Sequence, residues 1–549
     1  MNIRTTLVVL SSLLTSIAFA QPALAWDQHY NGPPDYGDEA HDIVVDNAGN
    51  AYVTGSAFAA NGTLDMVTIK YSAAGQQLWL QSYNGTANDN DEAFQIVLGD
   101  SGFVYVVGYS KGASSMQDIT TIKYSAAGVQ MWAATYDGAF SNYDAGNALT
   151  VDAAGNVYVA GLITTSNYTY DFVTIKYSPG GVQMWAQTYD GPGNFNDEPK
   201  DIGLDANNNV YVTGASDTFY NAQPNEDIVL LKYDNNGSLQ WRRVYDSPGH
   251  GYEYSRKLAI DDNGNIAVAG FGFITGNGQD FYTLKYNSAG VFQWMQTYNS
   301  GPNLFDVPSD MVIDSLGGII ITGQGIQANN NNANDYLTVK YNAGGTFQWA
   351  MRYDGPSDND DRANGICLDD SLNVVVTGFS KGSGSGFDIA TVKYDPSGNE
   401  KWAVRYNSSA NQDDAGNAIA SGPGGDVYVC GKSANLSNDD YVTLRYSYSA
   451  VGIAEQTAAV PLLDLYPNPS NGDVKIVLPS AAGNGISEYA VTAVNALGQP
   501  VSIGQPSLTE STGNKDVMQL STSGLAPGMY SVIIRRGGQV VGTARFIVE

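Results

Sequence analysis

Residues 67–83 read VTIKYSAAGQQLWLQSY, and the stretch returns with small changes as far as residue 446. Its Lys-Tyr pair recurs at Lys70-Tyr71, Lys123-Tyr124, Lys176-Tyr177, Lys232-Tyr233, Lys285-Tyr286, Lys340-Tyr341 and Lys393-Tyr394, then as Arg445-Tyr446. All eight tryptophans keep the same frame: Trp26, Trp79, Trp132, Trp185, Trp241, Trp294, Trp349 and Trp402, spaced by 53, 53, 53, 56, 53, 55 and 53 residues. Each is followed four places on by tyrosine, Tyr83 in the opening stretch. A fixed period near fifty residues marks a solenoid, a propeller or a tandem array.

The second unit shows what one period contains. AFQIVL (residues 93–98), FVYVVG (103–108), DITTIKY (118–124) and VQMWAATY (129–136) are short apolar or alternating runs separated by glycine-bearing turns, which predicts a four-stranded antiparallel meander. Such a sheet is apolar on both faces, and radial stacking of sheets around a channel covers both. The chain opens the array with a lone fourth-type strand around residues 26–30. It ends the array with first, second and third strands at 415–420, 426–431 and 440–446. Seven complete blades plus one built from both chain ends predict an all-β, eight-bladed β-propeller closed by the N-terminal strand, which also removes exposed sheet edges.

Composition sets limits on function. Residues 1–20 carry Arg4, an apolar run over 7–14 and the ending Ala18-Phe19-Ala20, which predicts a signal peptide with cleavage before Gln21. That run is too short to span a bilayer, and no other segment is apolar for long enough. The net charge of −29 falls on the repeats: residues 21–460 hold 20 Lys or Arg against 49 Asp or Glu. Such acidity disfavours nucleic acid and suits solubility outside the cell. Cys367 and Cys430 occupy positions that are apolar or small in other units, so free buried thiols are expected. His29, His41 and His250 share no repeat position and no metal-ligand spacing.

The units, in the pattern D..GN.YV.G, D..T.KY, G...W...Y over residues 22–446, resemble the secreted bacterial β-propeller repeat family. That family is often described as seven-bladed, whereas the tryptophans and Lys-Tyr pairs here count eight. The segment from Lys-Tyr to Trp is also similar to the tryptophan-docking motif of eight-bladed quinoprotein dehydrogenases, which implies blade docking and leaves the chemistry open.

Two acidic series recur. Six residues before each Lys-Tyr tyrosine stands Asp65, Asp118, Asp171, Asp227, Asp280, Asp335, Asp388 or Asp440. Identical acids in every blade are read as structural: a carboxylate at a strand start can accept N–H bonds from the preceding loop and pair with the repeated lysine, such as Lys70. Tyr71, Tyr83 and the tryptophans are read as wedges between blades. The second series precedes the first strand: Asp38, Asp91, Asp144, Asp197, Glu253, Asp306, Asp361 and Asp413. Its loops and those joining second to third strands share one face, predicted to show an acidic ring with Tyr36, Tyr143, Phe195, Tyr252 and Phe305 around it. Three readings stay open for that face: solvated loops, a binding surface for glycan or protein, and a cation site, since oxygen ligands suit Ca²⁺ although no EF-hand spacing occurs. No G-x-S-x-G, H-E-x-x-H, P-loop or Cys/His constellation is present, and because nearly every blade has paired carboxylates, none stands out as an acid/base pair. No catalytic residue and no resident cofactor is expected.

Beyond a small-residue linker at 447–460 the pattern changes. LDLYPNPS (463–470), GDVKIV (472–477), NALGQ (495–499) and LAPGMYSV (525–532) together resemble the type A C-terminal sorting domain of the type IX secretion system, over residues 461–549. The resemblance implies a small β-sandwich recognised by that machinery at the outer membrane. It implies a product secreted, or attached to the outer surface of a Gram-negative cell. The combined expectation is a monomeric, exported, non-catalytic binding or scaffold module for a glycan or surface protein. The alternative is a secreted carbohydrate-active enzyme using the acidic face.

Overall fold

The computed structural model describes residues 21–448, apart from 221–222, 274–277, 302–304 and 327–332. It also describes 463–470, 472–479, 489–495, 500–501, 503, 507–512, 515–536 and 539–548. The chain divides into two compact units at Tyr448 and Ser449. The signal segment and the linker expected from sequence lie outside the described residues, apart from Ser447 and Tyr448.

In the first unit the described residues form eight four-stranded antiparallel sheets. Blade 1 consists of β2 (Glu39–Val45), β3 (Ala51–Phe58), β4 (Leu64–Tyr71) and β5 (Gln77–Tyr83), paired in chain order. Blades 2 to 7 repeat this order. Blade 8 takes Asp414–Ser421, Val427–Ala434 and Asp439–Ser447 from the end of the array. Its fourth strand is β1 (Ala23–Tyr30), which pairs antiparallel with the last of these from Ala23↔Ser447 to Tyr30↔Tyr441. Hydrogen bonds join blade 8 to blade 1, from Tyr428 Oη to the Gly49 carbonyl (2.9 Å) and from Asn417 Nδ2 to the Ala40 carbonyl (2.9 Å). The ring therefore closes on the sheet built from both ends.

The repeat motif follows from the geometry of each turn. In Asp46-x-x-Gly49-Asn50-x-Tyr52, one Asp46 oxygen accepts the N–H groups of Ala48 and Asn50. The other accepts the Asn50 amide (2.7 Å) and the Tyr52 hydroxyl (3.1 Å). Gly49 has φ +78°, a conformation that favours glycine. The same network recurs at Asp152 and Asp205.

Docking between blades also repeats. The Trp79 ring lies between Tyr52 and Tyr124, with centroids 6.1 and 6.2 Å away, and its Nε1 donates to the Ala126 carbonyl in the next blade's turn (3.2 Å). Trp26, Trp132, Trp185, Trp294 and Trp349 donate likewise to Ala73, Pro179, Asn235, Ala343 and Pro396. Blade 8 has no such hairpin turn, because its fourth strand arrives from the other end of the chain. Trp402 donates instead to the Tyr448 hydroxyl (2.6 Å), a substitute the repeat pattern does not reveal.

The lysine is not where the sequence placed it. It sits five residues from the strand-start aspartate, about 17 Å along an extended strand, so the two cannot pair. Lys123, Lys176 and Lys232 reach carbonyls of the next blade's turn, and the described bonds to the strand-start carboxylates come from side chains such as Ser82 and Ser115. Both cysteines are free, with Cys430 buried and Cys367 half-buried.

The second unit contains two four-stranded sheets among its described residues, with a core of Val474, Ile476, Leu478, Met518, Val532, Ile534 and Phe546. This is the expected β-sandwich.

Candidate functional sites on the two propeller faces

The acidic series before the first strands proves to be internal. Asp38, Asp91, Asp144, Asp197, Glu253, Asp306 and Asp361 are fully buried, at most 1% exposed. Each closes its own entry loop: Asp144 Oδ2 accepts the Gly138 N–H (2.5 Å) and Oδ1 accepts the Thr164 N–H (2.8 Å), as Asp38 accepts Gly32 and Phe58. The expected exposed ring of carboxylates is therefore corrected, because unpaired loop N–H groups draw these acids inward. The frame also slips by one in blade 8. Asp414, 0% exposed and accepting the Ser408 N–H, is the equivalent residue, while the exposed Asp413 accepts the Phe387 N–H instead.

Bending inward brings the two acidic series together. In four places a third acid, the first residue after an outer strand, joins them. Asp118, Asp137 and Asp144 form one such trio, and the others are Asp171, Asp190 and Asp197; Asp227, Asp246 and Glu253; and Asp335, Asp354 and Asp361. Within each trio one carboxylate oxygen per residue lies within 4.8 Å of the others. The remaining junctions carry Asn31, Asn84, Asn299 or Asn407 in the third position. Sequence reading missed this position because it alternates between Asp and Asn; its constant place directly after W...Y was the available signal.

Burial, countered by the Thr164 and Gly138 bonds and reinforced by Asp137 and Asp118, pushes Asp144 up to about 6. Burial together with Asp190 and Asp197 pushes Asp171 to about 7. Asp171 and Asp190 of that second trio line a cavity of about 220 Å³, together with Phe140, Thr165, Asn167 and Asn194. Around this face Tyr36, Phe140, Tyr168, Phe195, Tyr252 and Phe305 are exposed, whereas Tyr143 is half-buried against Tyr109 and Tyr170.

The opposite face carries a larger opening, next to a place where the repeat breaks. The tyrosine that flanks each tryptophan in blades 1 to 4 becomes Ala267, Ile320 and Val375 in blades 5, 6 and 7. In blades with the tyrosine the lysine ammonium lies over its ring, as Lys70 does over Tyr52 at 4.6 Å. Without it the lysine turns to the turn aspartate: Lys285–Asp261 3.2 Å, Lys340–Asp314 2.8 Å, Lys393–Asp369 2.6 Å. Where the replacement is smallest, at Ala267, a groove of about 640 Å³ lies between blades 5 and 6. Trp294, Asp261, Asn265, Lys285, Asp314 and Leu316 line it. Trp294 keeps Tyr341 on one side (6.3 Å) and faces the groove where the other ring would stand. Burial works to raise the Asp261 carboxyl, but bonds from Asn265 and Lys285 outweigh it and hold the group below the usual range. It stays an ionised acceptor.

Comparisons with known proteins match two parts of the chain. Residues 464–549 match the family profile described as a secretion system C-terminal sorting domain. The chain carries an export tail of that family. A match to the beta-propeller repeat family covers residues 30–61. The sorting tail marks the protein as secreted, either attached at the outer surface or released, and implies contact with type IX machinery. No helix among the described residues is long and apolar enough to cross a membrane. The uncharacterized WD repeat-containing protein L264 of Acanthamoeba polyphaga mimivirus is 22% identical over 432 aligned residues, covering 54% of this chain and 30% of that protein. The chain thus spans less than a third of that relative's length. Similar solved structures include a polysaccharide lyase of family PL25, an ulvan lyase (10% identity, TM-score 0.41, 69% of this chain and 96% of that one). The WD40 domain of SCAP from fission yeast is another (10% identity, TM-score 0.39, 77% and 98%).

Proposed function

We propose that the propeller is a non-catalytic binding module for a glycan, displayed or released outside the cell. The groove between blades 5 and 6 carries the reading. It arises at the one junction where the flanking tyrosine has become alanine, it is of a size that accommodates a small ligand, and it joins an indole to amide and carboxylate acceptors. With its acids held ionised or paired to lysine, the groove is furnished for accepting hydrogen bonds rather than for delivering protons. The surplus of negative charge favours neutral or basic saccharides over polyanionic ones.

One observation favours a second reading, a carbohydrate-active enzyme. Asp171 is pushed to about 7 beside Asp190 in the loop-face cavity, the poise of a general acid. A glycan array probed with the mature protein, followed by product analysis on every glycan retained, separates the two. Binding without turnover is the expected result, and cleavage lost in Asp171→Asn would establish the enzyme.

A further inference from the structure

Blades 1, 3 and 4 each hold a tyrosine among the same three side chains. In blade 1 the Tyr52 hydroxyl donates to Asp46 Oδ2 (3.1 Å), the Lys70 ammonium lies 4.6 Å over its ring, and the ring packs edge-on to Trp79 with centroids 6.1 Å apart. Tyr158 repeats all three contacts with Asp152, Lys176 and Trp185, and Tyr211 with Asp205, Lys232 and Trp241. In blade 5 the tyrosine is Ala267, yet its three partners remain as Asp261, Lys285 and Trp294, and all three line the groove between blades 5 and 6. Strand register makes the positions equivalent: Ala267 pairs with Lys285 and Lys285 with Trp294, as Tyr52 pairs with Lys70 and Lys70 with Trp79. Blades 6 and 7 also lack the tyrosine, but Ile320 and Val375 stand in its place there. Their tryptophans, Trp349 and Trp402, are buried at 6% and 2% exposed, whereas Trp294 is half-buried. Blade 5 keeps the tyrosine's partners and opens a groove among them.

We propose that this groove binds a phenol group, which takes the place of the missing tyrosine side chain. Its hydroxyl donates to Asp261, an ionised carboxylate and therefore a charge-assisted acceptor. Lys285 already bonds Asp261 Oδ2 (3.2 Å), and this leaves the seat open. In blade 4 Lys232 stays 3.8 Å from Asp205 Oδ2 while lying 4.9 Å over the Tyr211 ring, and the Tyr211 hydroxyl still donates to that oxygen (3.0 Å). The phenol ring packs on Trp294 on the side away from Tyr341. A buried ammonium over the ring and an indole against it favour an aromatic ring over an aliphatic alcohol. Ile260, Ile313 and Leu316, which also line the groove, suit the ring's apolar edge. A space left by a large side chain is known to take up small aromatic molecules. The same chemistry is carried by free phenols and by tyrosine side chains of peptides. This inference goes beyond the saccharide reading of the groove and does not depend on it.

The test titrates the mature protein by calorimetry with 4-methylphenol, which is the tyrosine side chain as a free molecule, and in parallel with toluene, which keeps the ring and lacks the hydroxyl. 4-Methylphenol is expected to bind one equivalent with about millimolar affinity, as its few atoms allow. Toluene should bind at least about fivefold more weakly, the worth of one hydrogen bond to a charged acceptor. N-Acetyl-tyrosine amide distinguishes the sources: affinity at or above that of 4-methylphenol assigns the site to peptide tyrosines, and affinity about tenfold weaker assigns it to free phenols. Ala267→Tyr restores the residue found in blades 1 to 4, and should abolish 4-methylphenol binding while melting at or above wild type. Absence of binding at millimolar 4-methylphenol would overturn the proposal, as would toluene binding equally well or A267Y binding the phenol as tightly as wild type. No saccharide is present, so failure here leaves the glycan-array result standing, and an array without a retained glycan leaves this titration standing.

Discussion

Trp79 is held on both faces by tyrosines and at its edge by a carbonyl, whereas Trp294, at the same place in its unit, has one face on a groove. Truncating a buried aromatic costs the transfer free energy plus the cavity left behind. Trp79 is half-buried, so Trp79→Ala is expected to cost about 3 kcal/mol in urea denaturation, the low end for truncating a buried aromatic. Trp294→Ala should cost clearly less; equal losses would mean that the groove closes in solution. A second residue-scale consequence concerns the channel side of the first strands, where Asp42 accepts the Ile96 N–H (3.0 Å) and Lys257 lies 4.0 Å from Asp201. Burial pushes Asp42 to about 6, against the Ile96 bond and the Lys257 charge. Its folded pKa lies above the unfolded value, about 3.9. The stability it contributes is full below about pH 4 and lost as pH rises through about 6. Asp42→Asn keeps an acceptor and removes the titration. Its stability relative to wild type should improve by about 1–2 kcal/mol between pH 4 and pH 8, after allowance for solvent screening. A difference independent of pH would show that Asp42 is not perturbed.

At the scale of the strand and the turn, the periodic features were legible. Lys-Tyr, W...Y and D..GN.Y report backbone spacing directly, and each has one mechanical reason: a docking indole, an aspartate-capped turn, a tyrosine hydroxyl closing it. The strand-start acids were misread because a repeated Asp and a repeated Lys in one strand suggest a pair, while extension carries them to opposite ends. The second acidic series was misread because acids in long loops suggest solvent. These acids instead satisfy the loop's N–H groups at positions 32, 85, 138, 191, 247, 300, 355 and 408, six residues earlier in every case. The fourth strand of blade 8 yields its own prediction. Removing residues 21–31 deletes β1 and leaves the strand Asp439–Ser447 with an unpaired edge. The truncated mature protein is expected to melt at least about 10 °C lower or to self-associate through that edge. An unchanged melting temperature in a monomer would contradict closure by β1.

At the scale of the unit formed by residues 21–448, eightfold repetition builds a closed ring, and the proposed function is assigned to places where repetition fails. Those places are a loop-face cavity beside Asp171 and a groove beside Trp294, where the flanking tyrosine is alanine. The groove was the less legible of the two. The sequence showed Ala267 as an ordinary apolar residue in a strand, and its meaning appeared only once the tyrosines of blades 1 to 4 were seen packed edge-on or tilted against tryptophan. The most direct measurement restores the repeat: Ala267→Tyr, compared with wild type by calorimetric titration with a saccharide retained on the array. Loss of binding by at least tenfold, with melting temperature equal to or above wild type, is the expected result. Undiminished affinity in A267Y would contradict the assignment of the groove as the binding site.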